Sequence, residues 1–394
     1  MSKDTSSLRN RAAIVGVGES DIGKVPTMSG LGLNAQAARR ALDDAGLKVG
    51  DIDGVLTAYS FTEPYFMLGT VLCEYLGLKP RYNASMVVGG GSPAVMLKHA
   101  AEAIAAGQAE TILVCAGENR ATGQSRDQAV AALTAVGHPY FERPYGASIP
   151  GFYAMIARRH MMEFGTTEEQ MAAAAVTARH HASLHPNAHM RKPITVEDVM
   201  ASKPIADPLK MLDCCLLSDA GGAFIVTSAE RARDLKSKPA WLAGIAEYHT
   251  HEHLMCAPSL TEFGAKVTSE AAYRMAGLGP KDVDVAELYD CFSIVPIIEL
   301  EEVGLCGPGE GGAYFAEGKA RIGGGAVPIN THGGMLSHAH AGAAGGLFGI
   351  VEAVRQLRGG LGPRQVEGAE VALVHNEGGI LSSHCTLILT SAPH

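Results

Sequence analysis

The chain has 394 residues, 47% of them hydrophobic and 19% charged, with a formal net charge of −9. That length and apolar content suit a well-buried α/β protein of two domains or one large duplicated unit, and exclude a disordered chain. The acidic balance gives no footprint for nucleic acid or an anionic membrane, and no apolar run reaches the roughly 18 residues of a spanning helix.

The polar start M-S-K-D-T-S-S-L-R-N-R lacks the apolar core of a signal peptide. Eight cysteines without a C-x-x-C pair read as reduced thiols, so a cytoplasmic protein is expected. A-A-I-V-G-V-G (12–18) reads as a buried first strand, followed by a helix over 33–45 and a strand G-V-L-T-A-Y (54–59). G-V-G-E-S-D (16–21) is a poor dinucleotide loop, because Asp21 stands at the third glycine position.

S-M-V-V-G-G-G-S-P-A (85–94) is the layout of a strand–turn–helix corner, in which glycines let a ligand approach the backbone and the helix N–H groups. Such a corner usually carries a nucleophile, yet Val87 and Val88 stand there. Ser92 lacks the second glycine of G-x-S-x-G and reads as a packing or N-capping residue. Residues 120 to about 210 hold helical stretches such as 152–165 and have no later counterpart, so they read as an insertion over the first half. S-D-A-G-G-A-F-I-V-T-S (218–228) is a further strand, and A-W-L-A-G-I-A-E-Y (240–248) opens a second series. The alternating His249, His251 and His253 read as an exposed polar edge.

Two pairs of segments recur in the same order. A-G-L-K-V-G-D-I-D-G-V-L-T-A-Y (45–59) parallels A-G-L-G-P-K-D-V-D-V-A-E-L-Y-D (276–290), and A-E-T-I-L-V-C-A-G-E-N (109–119) parallels A-E-V-A-L-V-H-N-E-G-G (369–379). This predicts a duplicated βαβ-type unit with halves at 1–235 and 236–394.

Together with the opening A-I-V-G-V-G-E-S, the phrases D-C-C-L-L-S-D-A-G-G-A, E-L-Y-D-C-F-S and G-G-M-L-S-H-A-H-A-G-A-A-G-G resemble the thiolase superfamily, in particular the sterol-carrier-protein-type thiolases and their bacterial relatives. The resemblance spans nearly the whole chain. It implies an α/β thiolase fold, two duplicated halves in a five-layer α/β/α/β/α sandwich, with a site where the halves meet. Four corners carry over. The family's nucleophilic cysteine lands on Val88, so that position is lost, while Gly89, Gly90 and Gly91 remain to hold a thioester or enolate oxygen. The H-D-C-F corner lands on Y-D-C-F, placing Tyr289 where histidine is usual. The G-H-P histidine lands on His340, and the H-N-x-G corner on His375 and Asn376, expected to help bind substrate.

Valine cannot form the acyl-enzyme of a thiolase. Cleaving a β-hydroxyacyl-CoA needs no nucleophile, only a base, an acid and an oxyanion hole, so the resemblance implies a retro-aldol lyase with Tyr289 and His340 catalytic. The alternatives are a thiolase or acyltransferase using another nucleophile, with Cys291 the candidate, and a non-catalytic subunit binding acyl-CoA or lipid. No metal is expected: Asp and Glu are absent from 330–345, and His338 reads as peripheral to His340. No cofactor is expected beyond the coenzyme A thioester as substrate. The resemblance also implies a homodimer, a role in lipid catabolism and, more weakly, a small partner with an OB-fold and zinc ribbon.

Overall fold

The computed structural model describes residues 8–394. The first series of strands is β1 (Ala12–Glu19), β2 (Gly54–Ala58), β3 (Tyr82–Met86) and β4 (Thr111–Asn119). A small hairpin, β5 (Pro204–Ala206) and β6 (Leu209–Lys210), precedes β7 (Asp219–Ser228). The second series is β8 (Ala240–His249), β9 (Val285–Leu288), β10 (Val371–Gly378) and β11 (Ser383–Thr390).

Apart from the hairpin, these strands form one nine-stranded sheet in the order β3-β2-β4-β7-β1-β8-β11-β10-β9. Its midpoint is thin. β1 and β8 pair only at Ala13 with Trp241 and Ile14 with Ala240. On either side of that joint the layout repeats. β2 runs parallel to β4, and β4 and β1 lie antiparallel to β7. Likewise β9 runs parallel to β10, and β10 and β8 lie antiparallel to β11. Where β3 borders β2, a single bridge from Ile329 to Ala286 borders β9. The strands at 12–19 and 240–249 thus hold matching places.

Helices fill three layers around these strands. Ser92–Ala105 and Gly345–Arg358 lie in the middle, where Met96, Leu97 and Val351 share one buried cluster with Ile14, Leu56, Val374 and Leu387. The helix Gly30–Ala45 covers the outer face of the first series through Ala37 and Ala41 against Val15 and Val55. Helices Ala265–Ala276 and Val295–Glu302 cover the second through Ala272 and Ile297 against Leu373 and Ile388. The strand period of two sends Ile14 inward and Val15 outward, and Val374 inward and Leu373 outward, so β1 and β10 are apolar on both faces.

The segment after β4 contributes two long helices, Ile149–Phe164 and Glu168–Leu184. T-T-E-E-Q starts the second: Thr167 Oγ1 accepts the Gln170 N–H and Gln170 Oε1 accepts the Thr167 N–H. The glycines of the G-V-G-E-S-D stretch serve packing. Gly16 and Gly18 lie in β1 so close to the helix Gly30–Ala45 that a methyl on either would strike its backbone.

Candidate active site

Val88–Gly91 turns from β3 into the helix Ser92–Ala105, with Gly89 at φ +53°. Ser92 is fully buried and latches the turn: its Oγ accepts the Val88 N–H at 3.0 Å and donates to the Gly89 carbonyl at 2.8 Å. Ser92 is a packing residue of the corner, and the helix has no side-chain N-cap.

The other corners close on this one. Tyr289 follows β9, and its ring lies over Gly90, where a methyl would collide with the phenol oxygen. Gly378, at the end of β10, abuts the Val88 carbonyl and the Cα of Gly89. Asn376 Nδ2 donates to the Gly346 carbonyl at 3.0 Å, tying β10 to the helix that follows the His340 loop. The stretch 214–218 brackets the remaining pair. The Cys215 N–H donates to the Cys291 carbonyl at 2.9 Å and the Leu216 N–H to the Met335 carbonyl at 3.1 Å. Ser218 exchanges bonds with the His340 backbone, its N–H donating to His340 O at 3.1 Å and its Oγ accepting the His340 N–H at 3.3 Å. Asp290 Oδ1 accepts the Met335 N–H at 2.6 Å. The four corners form a ring.

Burial controls the protonation of its members. Tyr289 is 6% exposed. Desolvation, followed by the neighbouring Cys291 and Glu377, lifts its phenol well above the usual tyrosine range. It is therefore a neutral proton donor at rest. His340 is partly exposed, its Nδ1 has no partner, and desolvation with the charge of Arg120 lowers it to about 4. It is a neutral imidazole able to accept a proton. No hydrogen bond joins the Tyr289 hydroxyl to His340 among the described residues. Cys291 is buried, and desolvation together with Glu377 raises its thiol well above normal, the reverse of an activated nucleophile.

Two expectations need correction. His375 is fully buried, with Nδ1 2.8 Å from Thr386 Oγ1 and Nε2 3.2 Å from His384 Nδ1, so both ring nitrogens are occupied in the core and none faces substrate. Asn376 is 2% exposed and turned toward Gly346, so it braces the ring from behind. His338, expected to be peripheral to His340, sits in a buried cluster of its own. It is fully buried, with Nε2 3.2 Å from Glu19 Oε1, and His185 lies beside it.

Glu19, His185 and His338 form the one group among the described residues with metal-ligand proximity, the carboxylate coming from β1 rather than from 330–345. Arg355, 3.1 Å from Glu19 Oε2, already neutralises that carboxylate, which burial alone would raise but Arg355 and His338 hold well below normal. Burial lowers both imidazoles, so the trio is one ionised carboxylate, paired with Arg355, beside two neutral histidines.

The sequence reading also passed over Glu377, Glu118 and Arg120. Glu377 is buried between Tyr153 and Cys291; the Tyr153 hydroxyl donates to its Oε1 at 2.6 Å, and desolvation pushes its carboxyl up to about 7. It stood in plain view as the third residue of H-N-E-G. Only the fold gathers it with Tyr153. A separate apolar hollow of about 470 Å³, lined by Phe141, Tyr145, Phe152, Leu254, Met255 and Leu260, contains none of the corner residues. Glu142 staples its rim, accepting the N–H groups of His138 at 2.6 Å and Met255 at 2.9 Å.

Residues 246–391 match the family model described as thiolase C-terminal domain-like. The chain is 37% identical over 390 residues to the 17-hydroxy-3-oxo-4-pregnene-20-carboxyl-CoA lyase of Mycobacterium tuberculosis, covering 95% of this chain and 98% of the relative. It is 36% identical to a steroid side-chain-cleaving aldolase of Thermomonospora curvata, covering 90% and 92%. It is 35% identical to an acetyl-CoA acetyltransferase of Methanothermobacter thermautotrophicus, covering 93% and 96%. Among solved structures, an Ltp2–ChsH2 (DUF35) aldolase superposes with a TM-score of 0.84 at 34% identity, covering 97% of this chain and 98% of that one. With the ring of corners and the repeated strand order, these likenesses establish that the chain belongs to the thiolase superfamily, in the group that unites sterol-carrier-protein-type thiolases with thiolase-like aldolases.

Proposed function

We propose that the protein is a carbon–carbon lyase that cleaves a β-hydroxyacyl-CoA by a retro-aldol reaction. One observation carries this reading: the corner keeps its glycines, its latch and its contact with Tyr289, while the position of attack holds Val88. The relatives named lyase and aldolase support it.

In this mechanism the substrate hydroxyl proton passes to the Tyr289 oxygen as the phenol proton passes toward His340. Substrate binding must complete that link, because no hydrogen bond joins the two groups among the described residues. A free phenolate, costly in a desolvated site, never forms. The alkoxide electron pair closes the new carbonyl, the carbon–carbon bond breaks, and its electrons collect as a thioester enolate against the amides of Gly89 and Gly90. The Gly91 N–H is held by the Val88 carbonyl at 3.1 Å. Protonation at carbon completes the reaction.

The acetyltransferase relative raises acyl transfer through Cys291 as a second reading, which the raised, buried thiol disfavours. Incubation with 3-hydroxyacyl-CoA, followed by detection of an aldehyde or ketone and a shortened acyl-CoA, decides between them. Cleavage of a β-ketoacyl-CoA with a protein-bound acyl group would establish the transferase. Tight CoA-ester binding without turnover would establish a binding subunit.

The quaternary reading is a homodimer, supported by the edge strand β3, whose residues are alternately exposed, and by the exposed Tyr65, Phe66, Met67 and Tyr75 nearby in sequence. The two-component title of the aldolase structure supports a small partner protein as well. Light scattering and co-purification test these. A cytoplasmic location and a role in lipid catabolism complete the reading; no helix among the described residues is long and apolar enough to cross a membrane.

A further inference from the structure

Arg120 follows directly on β4, and its side chain is 7% exposed. Its guanidinium carbon lies 5.0 Å from the centre of the Phe61 ring, and its Nη1 lies 3.9 Å from Glu118 Oε2, beyond hydrogen-bond reach. Arg120 Nε and Glu118 Oε2 are both buried without a partner. An arginine brings five donors, and leaving buried donors unmade is costly. Holding the neighbouring loop does not account for them: Glu118 Oε1 already accepts the Phe61 N–H, and Glu63 Oε2 accepts the Leu31 N–H at 2.9 Å.

The pair borders the site. Gly342, two residues beyond His340, has no room for a methyl because Glu118 fills that space, and Arg120 Cδ lies 3.5 Å from the same point. The charge of Arg120 acts on His340, Cys215 and Tyr59, and the last two act in turn on Tyr289. Other charged groups near the His340 loop are already engaged. Asp290 Oδ1 accepts the Met335 N–H while its Oδ2, an acceptor that cannot serve an oxyanion, stays buried without a partner, and Asp219 is held by the N–H groups of Ala121, Thr122 and Val25. His189 is bonded to Ser218.

We propose that Arg120 is a second oxyanion-binding element of the pocket, receiving the oxygen β to the thioester of a hydroxyacyl-CoA. The step rests on the retro-aldol reading; the position rests on the buried, unpartnered Nε of Arg120 and its place beside Gly342. The hydroxyl proton leaves toward Tyr289 and His340, and Arg120 keeps all its protons. It faces the alkoxide and then the carbonyl oxygen of the departing ketone or aldehyde, while Gly89 and Gly90 face the enolate oxygen. Two amide-rich or cationic sites thus divide the two oxygens of one substrate.

The test compares 3-hydroxybutyryl-CoA with butyryl-CoA in equilibrium binding, in a Tyr289→Phe background that stops turnover. The hydroxy ester should bind about 10- to 100-fold tighter, the range for one hydrogen bond to a charged group. Arg120→Gln should abolish that preference, and Arg120→Lys should keep part of it. In ligand-free protein, the imidazole of His340 followed by NMR should titrate higher in Arg120→Gln and near its wild-type position in Arg120→Lys. A preference that survives Arg120→Gln, or a His340 titration that does not move, overturns the assignment. If neither ester binds, the acyl-CoA reading itself has failed, and the His340 titration alone then decides the place of Arg120.

Discussion

The Tyr289 ring sits directly on Gly90, so the residue at the family's histidine position touches the backbone of the family's cysteine corner. Tyr289→Phe removes one hydroxyl without opening the site. Turnover of a β-hydroxyacyl-CoA should fall about 10²–10⁴-fold with CoA-ester affinity nearly unchanged. His340→Ala should act similarly, and the double variant should be little slower than either single one, because the two act as a relay. Near-normal turnover by Tyr289→Phe would sink the mechanism.

Cysteine chemistry should be silent. Intact-protein mass after incubation with acyl-CoA should be unchanged, and Cys291→Ala should retain activity within a few-fold. Brief alkylation at neutral pH should modify the exposed Cys256 and spare Cys291, whose buried thiol is held protonated. Peptide mapping of the label reads both outcomes, and an acyl group on Cys291 would restore the transferase reading.

Glu377 should imprint a pH dependence on stability. Its folded-state pKa of about 7 lies above the ordinary 4.5, so the folded protein binds the extra proton between those values. Stability therefore falls as pH rises from about 4.5 to 7, with the full cost present above 7. The shift corresponds to roughly 3 kcal/mol. Glu377→Gln keeps an acceptor for Tyr153 and loses the proton. Denaturant titrations at pH 5 and pH 8 should differ less in the variant than in the wild type by up to that amount. An identical difference in both proteins would show that Glu377 ionises normally.

The latch at Ser92 offers a fourth kind of test. Ser92→Ala leaves the Val88 N–H without its buried partner and the Gly89 carbonyl with only the backbone N–H of residue 92, a loss of about 1–3 kcal/mol. Catalysis should suffer beyond this, because the amides of Gly89 and Gly90 lose their fixed aim. A drop in kcat larger than the change in thermal midpoint explains would report it. Unaltered kcat in folded Ser92→Ala would show that the corner needs no latch.

The strand order and the ring of corners were legible because their signals are local and repeated. A-G-L followed by D-[IV]-D marks β2 and β9, and apolar runs with glycine turns mark β1 and β8. The third strand of the second series was not legible, because it is reduced to the single bridge at Ile329. His375 misled because a histidine in a site motif looks the same whether it faces a ligand or a threonine and a second histidine across the strand. The absence of carboxylates from 330–345 was a sound local observation with a wrong scope, since Glu19 arrives from a strand more than 300 residues earlier. Arg120, Glu118 and Glu377 carry no motif; what marks them is burial with missing or unusual partners, which only three dimensions reveal.

The contacts of Gly90 with a phenol, Gly378 with a carbonyl, Gly342 with a carboxylate and Gly346 with an amide have a shared consequence. At each, a hydrogen atom is all that the neighbouring group leaves room for. A saturation scan of this protein should therefore show its harshest intolerance at residues with no side chain to lose, where alanine is as damaging as tryptophan and polarity is irrelevant. The Val88 position should behave in the opposite way, accepting isoleucine or threonine. Drift in this lineage is then expected to be free in what the corner could do by chemistry and frozen in the space it leaves open.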